Sequence, residues 1–196
     1  MSTSLRDFAS IPLVACFIFF LQSAGLYGQE PIEKYVDDKF DFSITVTQPW
    51  KPAKLQDYSV PGVARAAFSG AEAASVVLFV QETGKAFEPR FLVDESAKSI
   101  ETQLGATASE KEVRSVAQMQ AMWLIVEGNG NGGAIDGKGP VKTTQFWVAI
   151  PREKDIVIAL LTSPAKAFAE NRKSFEAALK TFVVGGKQTD AQQQSK

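Results

Sequence analysis

Three apolar runs in the second half of the chain, at 121–126, 145–150 and 156–161, set the strongest limit on what this sequence can fold into. Each has the length and the β-branched and aromatic content of a strand. The segment 151–155, Pro-Arg-Glu-Lys-Asp, is too short and too charged to connect anything but antiparallel neighbours. A three-stranded meander follows. Its strands are apolar on both parities: Met122, Leu124 and Val126 alternate with Trp123 and Ile125, and Phe146, Val148 and Ile150 alternate with Trp147 and Ala149. The third does the same, with Ile156, Ile158 and Leu160 against Val157, Ala159 and Leu161. A layer apolar above and below must be covered above and below, and amphipathic helices are the available covers.

Two helices of that kind are predicted. Near Phe91 the apolar period changes from two to about 3.6, with Val93, Ala97, Ile100 and Leu104 on one stripe and Gly105 placed as the left-handed residue that ends the helix. The polar face of Asp94, Glu95, Lys98 and Glu101 reads as a solvated surface, since nothing apolar flanks it to shift a carboxylate. Later, Ser163 and Pro164 predict an N-cap and a first helical residue, and Phe168, Phe175, Leu179 and Phe182 carry the stripe to a stop at Gly185-Gly186. Further strands are predicted at 40–46, where Phe40, Phe42, Ile44 and Val46 alternate with polar residues, and at 63–68, 75–81 and 112–116. Prolines 49, 52 and 61 bound an irregular connection in which Trp50 plugs the end of the core.

The domain plan is a signal peptide at 1–25, a lead-in arm at 26–39, one domain at 40–184 and a disordered polar tail at 185–196. Arg6 supplies the positive start of the signal, 11–21 its apolar core, and Ser23-Ala24-Gly25 the small residues for cleavage. A lipoprotein anchored at Cys16 and an uncleaved N-terminal anchor are the rival readings, and all three place the domain outside the cytoplasm, in the periplasm or beyond.

Composition bears on chemistry chiefly by what it omits. The 196 residues contain no histidine, and the single cysteine, Cys16, lies in the leader, so a Ser-His-Asp triad, a Cys nucleophile, a zinc finger and a disulfide are excluded from the mature domain. With 21 basic and 22 acidic residues spread evenly, neither nucleic acid nor an anionic membrane is favoured as a partner. The glycine-rich loop at 128–140 holds a formal G-x-G-x-x-G and a Walker-like spacing, but a phosphate cradle must open a helix, and here Pro140 and another strand follow. Asn129, Asn131 and Asp136 are oxygen donors without the terminal bidentate Glu of an EF-hand. The loop reads as a hairpin connection, and Asn129, Asn131, Asp136 and Lys138 are its candidate partner contacts. Trp123 and Trp147 share parity on near-neighbouring strands, which predicts one sheet face that walls a ligand groove or packs under a helix.

The phrase Phe42-Ser43-Ile44-Thr45-Val46-Thr47-Gln48-Pro49-Trp50 resembles the opening "F-x-I-x-x-P-x-x-W" of the PsbP-like domains, named after an extrinsic subunit of photosystem II. The remainder is similar in order: two strands, a helix at 93–104, a meander, and a closing helix that finishes in Ser174-Phe175 and Thr181-Phe182. The resemblance implies an α+β fold, an antiparallel sheet of six to seven strands covered by helices on both faces as an α/β/α sandwich. It also implies a protein that acts by docking, as members of that family do in photosystem assembly and in Ran-dependent nuclear import, and it carries no catalytic residue over to this chain. The expectation is an exported, non-catalytic, monomeric envelope protein, without cofactor or metal, that binds a protein or small molecule. A ligand carrier using the Trp123/Trp147 face and an enzyme of unrecognised type are the competing readings. A concave pocket above ~300 Å³ with convergent polar groups would favour either competitor.

Overall fold

In the computed structural model, which describes residues 33–55, 64–128 and 142–184, the three two-sided runs are adjacent strands. In chain order the elements are β1 (Glu33–Asp37), β2 (Phe42–Val46), β3 (Lys51–Ala53), β4 (Ala64–Ser69), β5 (Ser75–Glu82), α1 (Pro89–Ser99), β6 (Thr107–Val116), β7 (Met119–Gly128), β8 (Thr143–Pro151), β9 (Asp155–Pro164), α2 (Phe168–Leu179) and β10 (Val183–Val184). Seven strands form one antiparallel sheet in the order β3-β4-β5-β9-β8-β7-β6, and three form a second in the order β1-β2-β10.

The large sheet is covered on both faces, as its residues require. On one face Val93 and Ala97 of α1 pack with Met122, Leu124, Val126, Ala149 and Ile158. Past Ser99 the helix widens into a π-turn, Ile100–Leu104, and Gly105 ends it at φ 60°, the conformation foreseen for it. On the other face Phe175, Ala178 and Leu179 of α2 lie with Trp123, Ile125, Phe146, Val148 and Leu161. There the cover is more than a helix. Phe42, Ile44 and Val46 of β2 point into the same core, so the small sheet shares that face with α2.

Several boundaries differ from the sequence expectation for local reasons. Ser163 and Pro164 do not start α2; they are the last rungs of β9, opposite Thr144 and Thr143, where proline needs no ladder N–H. The buried Ser163 hydroxyl accepts a 3.0 Å hydrogen bond from Asn171 Nδ2 and donates to the Pro164 carbonyl, tying β9 to α2. That helix stops at Leu179 and not at the glycines, because Val183 and Val184 pair with Ser43 and Phe42. Phe182, beyond the helix, stacks on Phe42 at 5.5 Å. The expected lead-in arm contains β1, and strand β6 begins five residues earlier than its apolar pattern, since Glu110 at φ 48° lies in a bulge between Ser109 and Glu112. The bulge aims Glu110 at α2, where Arg172 Nη1 and Nη2 donate to it at 2.6 and 2.7 Å and Arg172 Nε donates to Glu176 at 2.7 Å. Those hydrogen bonds from Arg172 hold the Glu110 carboxyl below its usual pKa range.

Trp50 fills the end of the core as expected, and its ring lies against the bare Cα of Gly70, where an added Cβ would meet Cζ3 at 2.4 Å. A buried indole cannot yield that distance. Gly70→Ala is therefore expected to destabilise the fold by about 1–3 kcal/mol, read from the urea midpoint at unchanged slope. At the β6–β7 hairpin both Ala117 (φ 51°) and Gln118 (φ 64°) sit in the left-handed region that a two-residue turn of this hand demands and that Asn-Gly satisfies better. Replacing the pair, Ala117→Asn with Gln118→Gly, should raise stability by roughly 1 kcal/mol in the same assay.

Candidate binding cleft

The chain between β1 and β2 turns through residues 38–41, and Asp37 is the residue that holds the turn. Its Oδ1 accepts the main-chain N–H groups of Lys39 and Phe40, both at 3.1 Å, the local arrangement that aspartate favours at turns. The same carboxylate is buried, on the core-facing side of β1, and a buried charge has to be paired. Arg65 of β4 pairs it, with Nε 2.6 Å from Oδ2 and Nη2 3.3 Å from Oδ1. Tyr35 completes the group. Its hydroxyl stands 3.0 Å from both Asp37 Oδ2 and the Arg65 carbonyl oxygen, so its one proton is shared between them. Arg65 lies where the β4–β5 register shifts, between Ala64 and Ala66, which takes it out of the ladder with β5. The guanidinium also lies 5.1 Å from the centre of the Phe40 ring.

Beside this cluster opens a cavity of about 290 Å³. Its walls are Glu33, Lys34 and Tyr35 of β1, Pro52 and Ala53 of β3, Leu55, and Arg65 to Phe68 of β4. The cleft thus runs between an edge of the small sheet and an edge of the large one. Its lining is mainly apolar, with Glu33, Lys34, Tyr35 and Arg65 as its polar residues.

The protonation states are held apart. Burial of Tyr35, reinforced by its hydrogen bond to the Asp37 carboxylate, pushes the phenol up to about 12. Burial alone would raise Asp37 as well. Hydrogen bonds from Arg65, the Phe40 N–H and Tyr35 outweigh it and hold the carboxyl below its usual range. At neutral pH the site contains a neutral phenol and a carboxylate–guanidinium pair.

The residues singled out from sequence fall elsewhere. Asn129, Asn131, Asp136 and Lys138 lie outside the described residues. Trp123 and Trp147 do not share a face, and the groove built on them is withdrawn. In the β7–β8 ladder Trp123 opposes Val148 and Leu124 opposes Trp147, so residues of equal parity point to opposite sides. Trp123 packs on Phe146 at 5.2 Å in the core under α2, whereas Trp147 meets Phe79 edge-on at 6.1 Å on the α1 side. Nothing in the sequence pairs Asp37 with Arg65, 28 residues apart. The signal that was available is an aspartate in phase with Tyr35 on the inward side of a short strand, which demands a cationic partner somewhere in the fold. Among the described residues no group of three His, Cys, Asp or Glu side chains is placed to hold a metal, and no helix is long and apolar enough to cross a membrane.

Solved structures match this architecture. The cyanobacterial PsbP protein of Synechocystis superposes with a TM-score of 0.57 at 14% identity, over 84% of this chain and 99% of that one. The fold is the PsbP-like fold. A second match is the Ran-binding protein Mog1p of Saccharomyces cerevisiae, with a TM-score of 0.51 at 11% identity over 80% of this chain and 96% of that one. A third, from Bacteroides thetaiotaomicron, has a TM-score of 0.51 at 10% identity over 79% of this chain and 49% of that one. No protein-family model and no curated protein matches the sequence. The cleft lies where β1, outermost in the small sheet, faces β3 and β4 at one end of the large one.

The shifted groups make a pH prediction with a definite sign. A phenol raised from 10.0 to about 12 favours the folded state while protonated, so its contribution is complete below pH 10 and is lost as pH rises from 10 to 12. Tyr35→Phe should therefore flatten the loss of stability over that range in urea titrations. A carboxyl lowered from 3.8 acts at the other end, and its contribution is lost as pH falls below that value.

Proposed function

We propose that this chain is an exported, non-catalytic binding protein of the cell envelope whose partner docks at the cleft between β1 and the β3–β4 edge. The observation that carries this reading is the state of Tyr35 on the cleft wall and of Asp37, its hydrogen-bond partner beside the cleft. Tyr35 is held as a neutral phenol and Asp37 as a paired carboxylate, far on either side of neutrality, whereas a general acid or base works best with a pKa near the operating pH. A paired polar cluster beside a mainly apolar cavity supports recognition over turnover. Export rests on the leader, with its basic start, its apolar core at 11–21 and its small residues at 23–25. Protein binding has a precedent in the fold, since the yeast neighbour binds Ran.

The test is capture from envelope extract with residues 26–196 as bait, run in parallel with a Leu55→Asp variant. Leu55 lines the cleft and is 37% exposed, so the substitution changes the surface without opening the core. The expected result is a protein retained by the native chain and lost, by at least tenfold, with the variant. Equal retention by both would remove the cleft from the function. A co-purifying small molecule with no protein would turn the reading to a ligand carrier.

A further inference from the structure

An arginine side chain carries its N–H donors on a planar fork, and more than one edge of that fork fits a carboxylate. Arg172 shows two edges in use. Its Nε donates to Glu176 at 2.7 Å, while Nη1 and Nη2 donate side by side to the two oxygens of Glu110 at 2.6 and 2.7 Å. An aromatic ring, that of Phe146, lies 5.2 Å from its guanidinium carbon.

Arg65 is arranged in the same way with one carboxylate fewer. Its Nε and Nη2 hold Asp37 at 2.6 and 3.3 Å, and the Phe40 ring lies 5.1 Å from its guanidinium carbon. Among the described residues nothing accepts a hydrogen bond from Nη1. The Asp37 side chain is 1% exposed and the Arg65 side chain 31%, so what stays accessible of Arg65 lies away from the edge that meets Asp37. Arg65 lines the cleft and Asp37 does not. The Asp37 carboxylate is itself fully engaged, since the Lys39 and Phe40 N–H groups and the Tyr35 hydroxyl meet it as well. Its charge is answered from several sides, which leaves the far end of the guanidinium as a donor surface. Glu33 and Lys34 add one charge of each sign to the lining, so together they do not oppose an anion.

The size of the cleft narrows the source of that anion. About 290 Å³ stands at the small end for a binding pocket, with Pro52, Ala53, Leu55 and Ala66 among its apolar walls. An acidic residue within a chain would require the main chain both to enter this space and to leave it. A chain end requires only entry, and it delivers a carboxylate and an apolar side chain from one Cα. From this geometry we propose that the cleft captures the C-terminus of a partner polypeptide, with the terminal carboxylate on the Nη1–Nη2 edge of Arg65 and an apolar last side chain against Ala53, Leu55 and Ala66. The charge-assisted pair fixes the chain end and the apolar walls select the last residue. This deepens the docking function proposed above and rests on it.

The test starts from a library of random seven-residue peptides with free C-termini, selected on the native chain and counter-selected on Leu55→Asp. Enriched peptides are synthesised as free acids and as C-terminal amides, and both forms are titrated against the native chain and against Arg65→Lys, which keeps a cation on Asp37 and removes the second edge. The expected result is an apolar last residue in the enriched set, amide chemical-shift changes centred on residues 51–55 and 64–68, and at least tenfold weaker binding of the amides. On Arg65→Lys the two forms should bind alike; should that variant fail to melt like the native protein, the acid–amide comparison on the native chain decides alone. No enrichment, shifts elsewhere, equal affinity of acid and amide, or enrichment of internal Asp or Glu in place of a fixed last residue would overturn the proposal. So would hexanoate bound as tightly as the best peptide, which would make the occupant a small carboxylate. Loss of a captured envelope protein on Leu55→Asp, together with equal affinity of acid and amide, would preserve docking at the cleft while rejecting the chain end.

Discussion

A sheet that is apolar on both sides cannot be left half covered, and that single constraint organises everything else in this chain. The central strands β5, β9, β8 and β7 alternate between two cores: Leu124, Ala149 and Ile158 go to one and Ile125, Val148 and Val157 to the other. Each buried aliphatic or aromatic side chain stabilises by about 1.5–3 kcal/mol, so an uncovered face would forfeit more than the whole net stability of a domain. One helix of 11 residues covers the first face. The second face needs α2 and the small sheet together, and the small sheet in turn brings Asp37 to Arg65. The cleft is thus a by-product of covering: two sheets meet over one core, and their edges do not coincide.

The polar chemistry obeys the same economy. Asp37 is buried because β1 must face inward at Tyr35 and Asp37 to close over Phe42, and a carboxylate in that position is tolerable only with two charge-assisted bonds from Arg65 and two main-chain donors. Across the molecule Arg172 plays an analogous part, fastening the bulged β6 to α2 over the face of Phe146. Both arginines join elements far apart in sequence, and both lie at margins of the second core, where burial is incomplete and charge is still affordable.

What could be read from the sequence follows from the range of the interactions involved. Periods of two and 3.6 are local, so β2, β5, β7, β8, β9 and α1 with its Gly105 stop were legible from residues alone. Ser163 and Pro164 misled because a Ser-Pro pair suits a helix start and a strand end equally, and only the ladder with Thr143 and Thr144 decides between them. β1 carries few apolar residues and β10 is only two residues long, and both form because β2 offers an edge on either side. The Trp123 and Trp147 assignment failed on register, a property of the pair of strands and not of either one. The cleft was illegible for a deeper reason: its polar wall of Tyr35 and Arg65, and the Asp37 that pairs with both, meet only through how two sheets are stacked.

The small sheet joins the first described strand to the last. β2 holds β1 on one side and β10 on the other, and Phe42 stacks on Phe182, 140 residues later. A ribosome or an export channel delivers such a chain from its N-terminus, so β2 must wait, with one flank bare, until the final strand emerges. The large sheet can assemble beforehand, but its second core stays unsealed until that arrival. Sealing of the second core is consequently timed by the arrival of β10, and a chain lacking β10 would leave that flank of β2 without a partner strand.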